Sequence, residues 1–354
     1  MRIEHLEVHP FILTPPIPFT VAYGSFPTLD YALLKVYTDT GLLGLGEAAP
    51  DPEVTGETQQ SVVAALQQAA GLLVGKDPTQ LEAILQAWEE QFPRQPSAMA
   101  AVDMALYDLI GQSLGVPVHT LLGGLVHGHM DVYPVVPLMP PQEMAETAAM
   151  FVRQGFQVLK LKIGTDPDED EARVQAVRQA VGPEVSLRLD VNQGWRTASV
   201  AIRAIQRLLP LGIEWVEQPV AAADLDGLAE VTHSVPVRVM VDEGCLGPKD
   251  ALEVVLRRAA SIINIKLIKC GGLYRAQQVH AIAEAAGIPC IVGSMGESTV
   301  ASLAGLHLFA ARQNIIAGEV IGPLFLEGDI ASGFEMDGNR AVVPVAPGLG
   351  AQLR

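Results

Sequence analysis

Cysteine is scarce in this sequence. Its three residues, Cys245, Cys270 and Cys290, are odd in number and form neither a CxxC pair nor a Cys/His ligand spacing, which excludes a disulfide framework and a zinc finger. They are expected to be buried small hydrophobes. No run of roughly 18 or more apolar residues marks a membrane span. The opening MRIEHLEVHPFILTPPIPF lacks a signal peptide's basic segment and unbroken apolar stretch, so the expected location is the cytoplasm. Basic residues are also few: 23 Lys and Arg against 40 Asp and Glu leave a formal charge of −17, a field that repels nucleic-acid phosphates and anionic lipid headgroups. Neither nucleic acid nor membrane is an expected partner. No GxGxxG links a first strand to a helix, which removes a dinucleotide-binding fold.

What is present is enough apolar residue to fold. At 354 residues, 49% hydrophobic and 18% charged, the chain suits a barrel-sized domain plus a smaller one. The first part reads as α+β. Arg2–Leu13 and Leu29–Leu45 alternate as strands, joined by the Pro-rich PPIPFTVAYGS, expected to be a loop. Helical periodicity runs from about Thr58 to Gly115, a helix C-terminal stop. From about Asp131 eight short β-rich runs alternate with amphipathic helical segments: VYPVVPL, VLKLKIG, VSLRLDVNQ, IEWVEQPV, VRVMVDEG, SIINIKLIK, CIVGSM and IAGEVIG. This is the rhythm of βα units, and eight of them close into an α/β barrel. From about Ser332 the Pro/Gly-rich tail reads as a surface return.

Charge recurs at the ends of these strands. The second run supplies Lys160 and Lys162, the third Asp190, the fourth Glu217, the fifth Asp242 and Glu243, and the sixth Lys266. Parallel barrels build their active sites at the C-terminal ends of the strands. An unpaired charge buried there costs several kcal/mol, so five charged strand ends in succession must compensate one another. Three carboxylates on adjacent strands make an all-oxygen site for a hard cation. Strands two and six of eight are opposed, so their lysines would flank whatever that cation holds. Such a site can remove a proton next to a carboxylate: the cation neutralises the developing charge, and a second lysine beside the base lowers its proton affinity. Lys162 is the expected base, Lys160 its tuner and Lys266 the group on the opposite face.

At these residues the sequence resembles the enolase superfamily, specifically its muconate lactonizing enzyme subgroup, over nearly the whole chain. The motifs are LKLKIG with Lys160 and Lys162, RLDVNQGW with Asp190 and Asn192, WVEQPV with Glu217, VDEG with Asp242 and NIKLIKCGG with Lys266. The resemblance implies a (β/α)7β TIM-like barrel (residues 126–328) under an N-terminal α+β capping domain (1–125), which the C-terminal segment (329–354) completes. It implies Mg²⁺, with Mn²⁺ the alternative, bound by Asp190, Glu217 and Asp242, a small-molecule carboxylate substrate and a homo-oligomer. Loops around Phe19–Ser25 and Asp51–Glu57 look like cap loops that close over the substrate. They nominate Phe19, Tyr23 and Thr55 as substrate contacts, to which Asn192, Ser294, Glu297 and Glu319 are added. Mandelate racemase-like members use a histidine near the end of the seventh strand, where this chain reads CIVGSMGES. Its eight histidines, His5, His9, His119, His127, His129, His233, His280 and His307, lie off the strand ends.

Two similarities pull apart on the reaction. LLGLGEAAPDPEVTGET and NIKLIKCGGL resemble dipeptide epimerases, but the Asp-x-Asp pair of those enzymes is replaced by Glu319, Val320 and Ile321, and Gly24 stands near the place of a loop arginine. GEVIGPLFLEGDI and PGLG resemble muconate cycloisomerases instead. The two opposed lysines favour a racemase or epimerase of an amino-acid-derived carboxylate (N-acyl amino acid, dipeptide or proline-like) acting through an enolate. The alternatives are a muconate-type cycloisomerase or a β-eliminating lyase using the same chemistry, and, more remotely, a non-catalytic carboxylate-binding barrel. Glu319 is read evenly between function and a strand-end salt bridge, and Glu297 as orienting Lys266 or capping the next helix. Lys269 is expected to be solvated or structural, and Trp195 to pack.

Overall fold

The structure, a computed structural model, describes residues 1–320 and 322–354. It opens with β1 (Ile3–Leu13), followed by the hairpin β2 (Phe19–Val21) and β3 (Gly24–Phe26). The Pro-rich stretch is therefore not all loop. Prolines confine its start, but Phe19-Thr20-Val21 is β-forming and turns back at Ala22-Tyr23. The expected strand Leu29–Leu45 is two strands, β4 (Leu29–Thr38) and β5 (Leu43–Ala48), because Asp39-Thr40-Gly41 makes a turn with Gly41 left-handed at φ 79°. β1, β4 and β5 form one antiparallel sheet.

Helix α1 (Gln59–Gln68) starts at a capping box between Thr58 and Ser61. It is followed by α2 (Ala70–Leu73), α3 (Leu81–Gln91) and α4 (Pro96–Leu114). The helical stretch is thus broken at Gly75–Pro78 and at Pro93, where glycine turns left-handed and prolines cannot donate. Gly115, at φ 68°, ends α4 as its sequence position predicts. Ala98, Ala101, Val102, Ala105 and Leu109 of α4 lie in the same buried cluster as Ala32, Leu34 and Val36 of β4.

Helix α5 (Val118–Leu121) and β6 (His129–Asp131) lead into the barrel. Its strands are β7 (Val135–Val136), β8 (Val158–Lys162), β9 (Ser186–Asp190), β10 (Ile213–Glu217), β11 (Arg238–Val241), β12 (Ile262–Ile265), β13 (Cys290–Val292) and β14 (Ile315–Gly318). They form one parallel sheet in sequential order, closed by a bridge between Val132 and Gly318. The connections carry α6 (Pro141–Arg153), α7 (Pro167–Val181), α8 (Ala198–Leu208), α9 (Leu225–Ser234), α10 (Pro248–Arg257), the short α11 (Leu267–Cys270) before α12 (Leu273–Ala285), and α13 (Thr299–Ala310). This is the (β/α)7β barrel, and all eight β-rich runs lie on it. Alternation along the strands separates two populations. Leu159, Leu161, Leu187, Leu189, Val216 and Val241 pack with the helices, while Tyr133, Trp215, Met240, Ile262 and Ile291 fill a layer inside the barrel.

The chain ends with α14 (Gly322–Phe325), β15 (Ala331–Ser332), β16 (Glu335–Asp337), β17 (Arg340–Val342) and β18 (Gln352–Leu353). This segment is more than a surface return. β17 pairs with β6, Ala341 and Leu349 are fully buried, and Leu349 N donates to Asp108 Oδ1 of α4 at 2.8 Å. Its small apolar residues are compatible with burial, which its proline and glycine content obscured.

Candidate active site

Strand register levels the charged residues. Lys162 stands beside Asp190 and Asp190 beside Glu217 across β8, β9 and β10. Asp242 follows directly on β11 and Lys266 directly on β12. One carboxylate oxygen each of Asp190, Glu217 and Asp242 lies within 4.8 Å of the others, and all three side chains are buried. The predicted triad is thus brought together.

The lysines divide around it. Lys162 Nζ contacts Asp190 Oδ2 at 2.6 Å and donates to Asn192 Oδ1 at 3.0 Å. Lys266 Nζ contacts Asp242 Oδ2 at 2.7 Å. Their strands β8 and β12 are four apart in the closed order of eight. Lys160 reaches deeper, with its Nζ 2.9 Å from Asp190 Oδ2 and 2.8 Å from both Glu217 Oε2 and Glu319 Oε1. Lys160 and Lys162 therefore meet the same oxygen of Asp190. Burial pushes the Lys160 ammonium down, but Asp190, Glu217 and Glu319 outweigh it and hold it charged.

Four further residues hold the triad in place. Asn264 Nδ2 donates to Glu217 Oε1 at 2.8 Å. Gln218, left-handed at φ 37°, accepts from Asp242 N through Oε1 at 2.9 Å. Asn192, also left-handed at φ 42°, donates Nδ2 to Glu243 Oε1 at 3.0 Å and so links Lys162 to Glu243. Lys269 is the fourth. Of the two readings of Lys269 the structural one holds: it is fully buried and contacts Asp242 Oδ1 at 2.7 Å, because α11 starts directly after Lys266. Asn264 and Gln218 lie inside the quoted motifs, but only the folded register shows what they touch.

These residues fit a hard divalent cation. Glu217 Oε2 and Asp242 Oδ2 are buried and close to ammonium groups, yet neither receives a directed hydrogen bond. Burial, then the charge of Asp190, pushes the Glu217 carboxyl up, a penalty that a cation would offset. Burial also raises Asp190 and Asp242, but their lysine partners outweigh it and hold both below the usual carboxylate range. Five carboxylates, counting Glu243 and Glu319, face four ammonium groups in this cluster, leaving room for more positive charge.

The cluster opens into a cavity of about 1070 Å³. Phe19, Tyr23, Asn192, Ser294 and Glu319 line it, as do Lys162 and Lys266. The ring of Phe19 lies 6.0 Å from Lys162 Nζ, and Tyr23 OH donates to Asp51 Oδ2 at 2.9 Å, tying the β2–β3 hairpin to the second cap loop. Thr55 does not line the cavity; its hydroxyl donates to Asp51 O at 3.1 Å and holds that loop's turn, while Asp51, Pro52 and Val54 face the cavity. Nor does Glu297 cap the next helix. It accepts from Ser294 Oγ and from Met295 N, whereas α13 is capped by Ser298 and by Glu47 of β5. Glu319 accepts from Tyr133 OH at 3.0 Å as well as from Lys160. Of the Glu319, Val320 and Ile321 trio, Ile321 lies outside the described residues. Trp195 packs, donating Nε1 to Asp170. All three cysteines are free and buried.

Known families match both parts of this architecture. The N-terminal domain of mandelate racemase / muconate lactonizing enzyme matches residues 6–123, and the enolase C-terminal domain-like family matches residues 143–354. The chain belongs to the mandelate racemase / muconate lactonizing enzyme family. Within this enolase-superfamily group it is 37% identical to the N-succinyl-L-Arg/Lys racemase of Bacillus cereus, covering 100% of this chain and 96% of that protein, whose crystal structure superposes with a TM-score of 0.98. A dipeptide epimerase from Enterococcus faecalis, complexed with Mg and the dipeptide L-Leu-L-Tyr, is 37% identical over 99% of each chain with a TM-score of 0.96. Muconate cycloisomerase 1 of Rhodococcus opacus is 36% identical over 98% of this chain and 95% of its own length. A racemase, an epimerase and a cycloisomerase are therefore all among the relatives.

Proposed function

We propose that the chain is a Mg²⁺-dependent racemase or epimerase that removes the α-proton of an amino-acid-derived carboxylate through an enolate. The observation that supports this most is the pair Lys162 and Lys266. They stand four strands apart, hold different acids of one triad and line one cavity. One lysine takes the proton from one face, the other delivers a proton to the opposite face, and the carbon is inverted. A cycloisomerase or lyase needs only one such group.

In this reading Asp190, Glu217 and Asp242 are the metal ligands, and bound Mg²⁺ supplies positive charge beside the substrate carboxylate, where negative charge gathers. Lys160 is the neighbouring cation in the cluster. Phe19 and Tyr23 cover the substrate from the cap and exclude water. The racemase and epimerase relatives support the assignment, as does the Mg in the Enterococcus structure. We also infer a cap of residues 1–125 completed by 329–354, a cytoplasmic location consistent with three free cysteines, and a homo-oligomer. In deuterium oxide with Mg²⁺, deuterium should enter the α-carbon of both the product and the recovered substrate, and chelation should abolish exchange. Label found only at a carbon beyond the α-carbon would point to cycloisomerisation instead.

A further inference from the structure

We propose, resting on the function above, that the substrate carries one carboxylate and a large, uncharged, apolar acyl group on its α-nitrogen. The cavity, at about 1070 Å³, lies at the top of the range of small-molecule sites and far exceeds an amino acid. Much of its wall is apolar. Phe151 of α6 packs edge-on against Phe156 and against Phe325 of α14, with ring centroids 6.1 and 5.7 Å apart, and all three line the space. Three large apolar side chains that remain substantially exposed, Ile17 (47%), Met150 (39%) and Leu324 (36%), line the same cavity. A bound apolar group would cover them.

Charge gives the second, independent line. Among the described residues lining the cavity, Lys162 and Lys266 are the sole cations; there is no arginine and no histidine. Both contact the acid triad. The other charged residues on the wall are the acids Asp30, Asp51, Glu243 and Glu319. A second substrate carboxylate, such as that of a succinyl group, would enter a space whose described lining offers it neutral Gln and Thr side chains such as Gln154 and Thr147 but no free cation, beside acids and phenyl rings. A distal cation fares little better. Asp51 already accepts from Tyr23 OH and Glu53 N, and Asp30 is exposed. Glu243 Oε2 is buried on the cavity wall without a partner, an acceptor suited to the amide N–H of an acylated α-nitrogen.

The test is a panel of leucine derivatives, N-acetyl, N-hexanoyl, N-phenylacetyl, N-succinyl and N-glycyl, given to the full chain with Mg²⁺. α-Proton exchange is followed by NMR, and binding to Lys162→Ala protein by calorimetry. The hexanoyl and phenylacetyl compounds should exceed the acetyl compound by at least about tenfold in kcat/KM and the succinyl and glycyl compounds by about a hundredfold, with binding in the same order. A succinyl or glycyl compound that matches the hexanoyl one overturns this specificity while leaving the racemase reading intact. No exchange with any member overturns both. Met150→Arg, at a half-exposed position, should raise the succinyl-to-hexanoyl ratio by about tenfold; an unchanged ratio contradicts an acyl group lying on this wall.

Discussion

Asn264 does not line the cavity, yet it fixes one oxygen of Glu217 by a 2.8 Å hydrogen bond while Glu217 Oε2 is left without a directed partner. Groups that orient metal ligands are worth about 10–100-fold in metal affinity. Asn264→Ala should therefore weaken Mg²⁺ binding by about that factor, read by titration calorimetry on folded protein; unaltered Mg²⁺ affinity would contradict Asn264 as the group that orients Glu217 for the metal. Lys269 teaches a related lesson. Its place three residues after Lys266 left a solvated and a structural role open, and the fold decides for the second by burying it against Asp242, the carboxylate that Lys266 also contacts. The side-chain types of the site were legible because charge at five successive strand ends has few explanations. Which oxygen each ammonium meets was not, since that depends on register and on the left-handed turns at Asn192 and Gln218.

Elements join through a few close approaches. A Cβ added to Gly46 of β5 would fall on the carbonyl oxygen of Ala101 in α4, and one on Gly44 would strike Leu109 and the carbonyl of Ala105. The alternating glycines of LGLGEA are thus the reason α4 lies flat on the sheet. Gly46→Ala should cost about 1–3 kcal/mol or more through overpacking, seen as a lowered unfolding midpoint; an unchanged midpoint would mean that α4 shifts freely. The next residue, Glu47, reaches from the cap to α13, accepting from Ser298 N at 2.8 Å and from Ala301 N at 3.0 Å. Burial outweighs these bonds and raises its carboxyl from 4.5 to about 7. A carboxyl raised on folding gives stability that is full below its unfolded value and is lost as pH rises through the folded one. The unfolding midpoint should therefore fall from pH 4.5 toward about 7, and Glu47→Gln should flatten that slope. A slope identical in the variant would assign the pH dependence to other buried acids, Asp103 among them. Strand and helix positions were readable from periodicity. The β2–β3 hairpin and the buried tail were missed because proline and glycine mask short β-pairs that only tertiary contacts stabilise.

At the scale of the whole molecule, cap and barrel build one cavity between them. Phe19, Tyr23 and Asp51 come from the cap and Lys162, Asn192 and Lys266 from the barrel, so neither part encloses the space alone. The barrel was legible from eight evenly spaced β-rich runs, whereas the apolar wall formed by α6, Phe156 and α14 was not, because its residues are scattered over distant segments. The central claim is that two lysines address opposite faces of one carbon. Its most direct test follows each enantiomer of an exchanging substrate separately in deuterium oxide with Lys162→Ala and Lys266→Ala proteins. Racemisation should vanish in both variants, while each retains α-proton exchange with one enantiomer only, and a different one in each case. Loss of the same enantiomer's exchange in both variants, or racemisation that survives either change, would contradict the account.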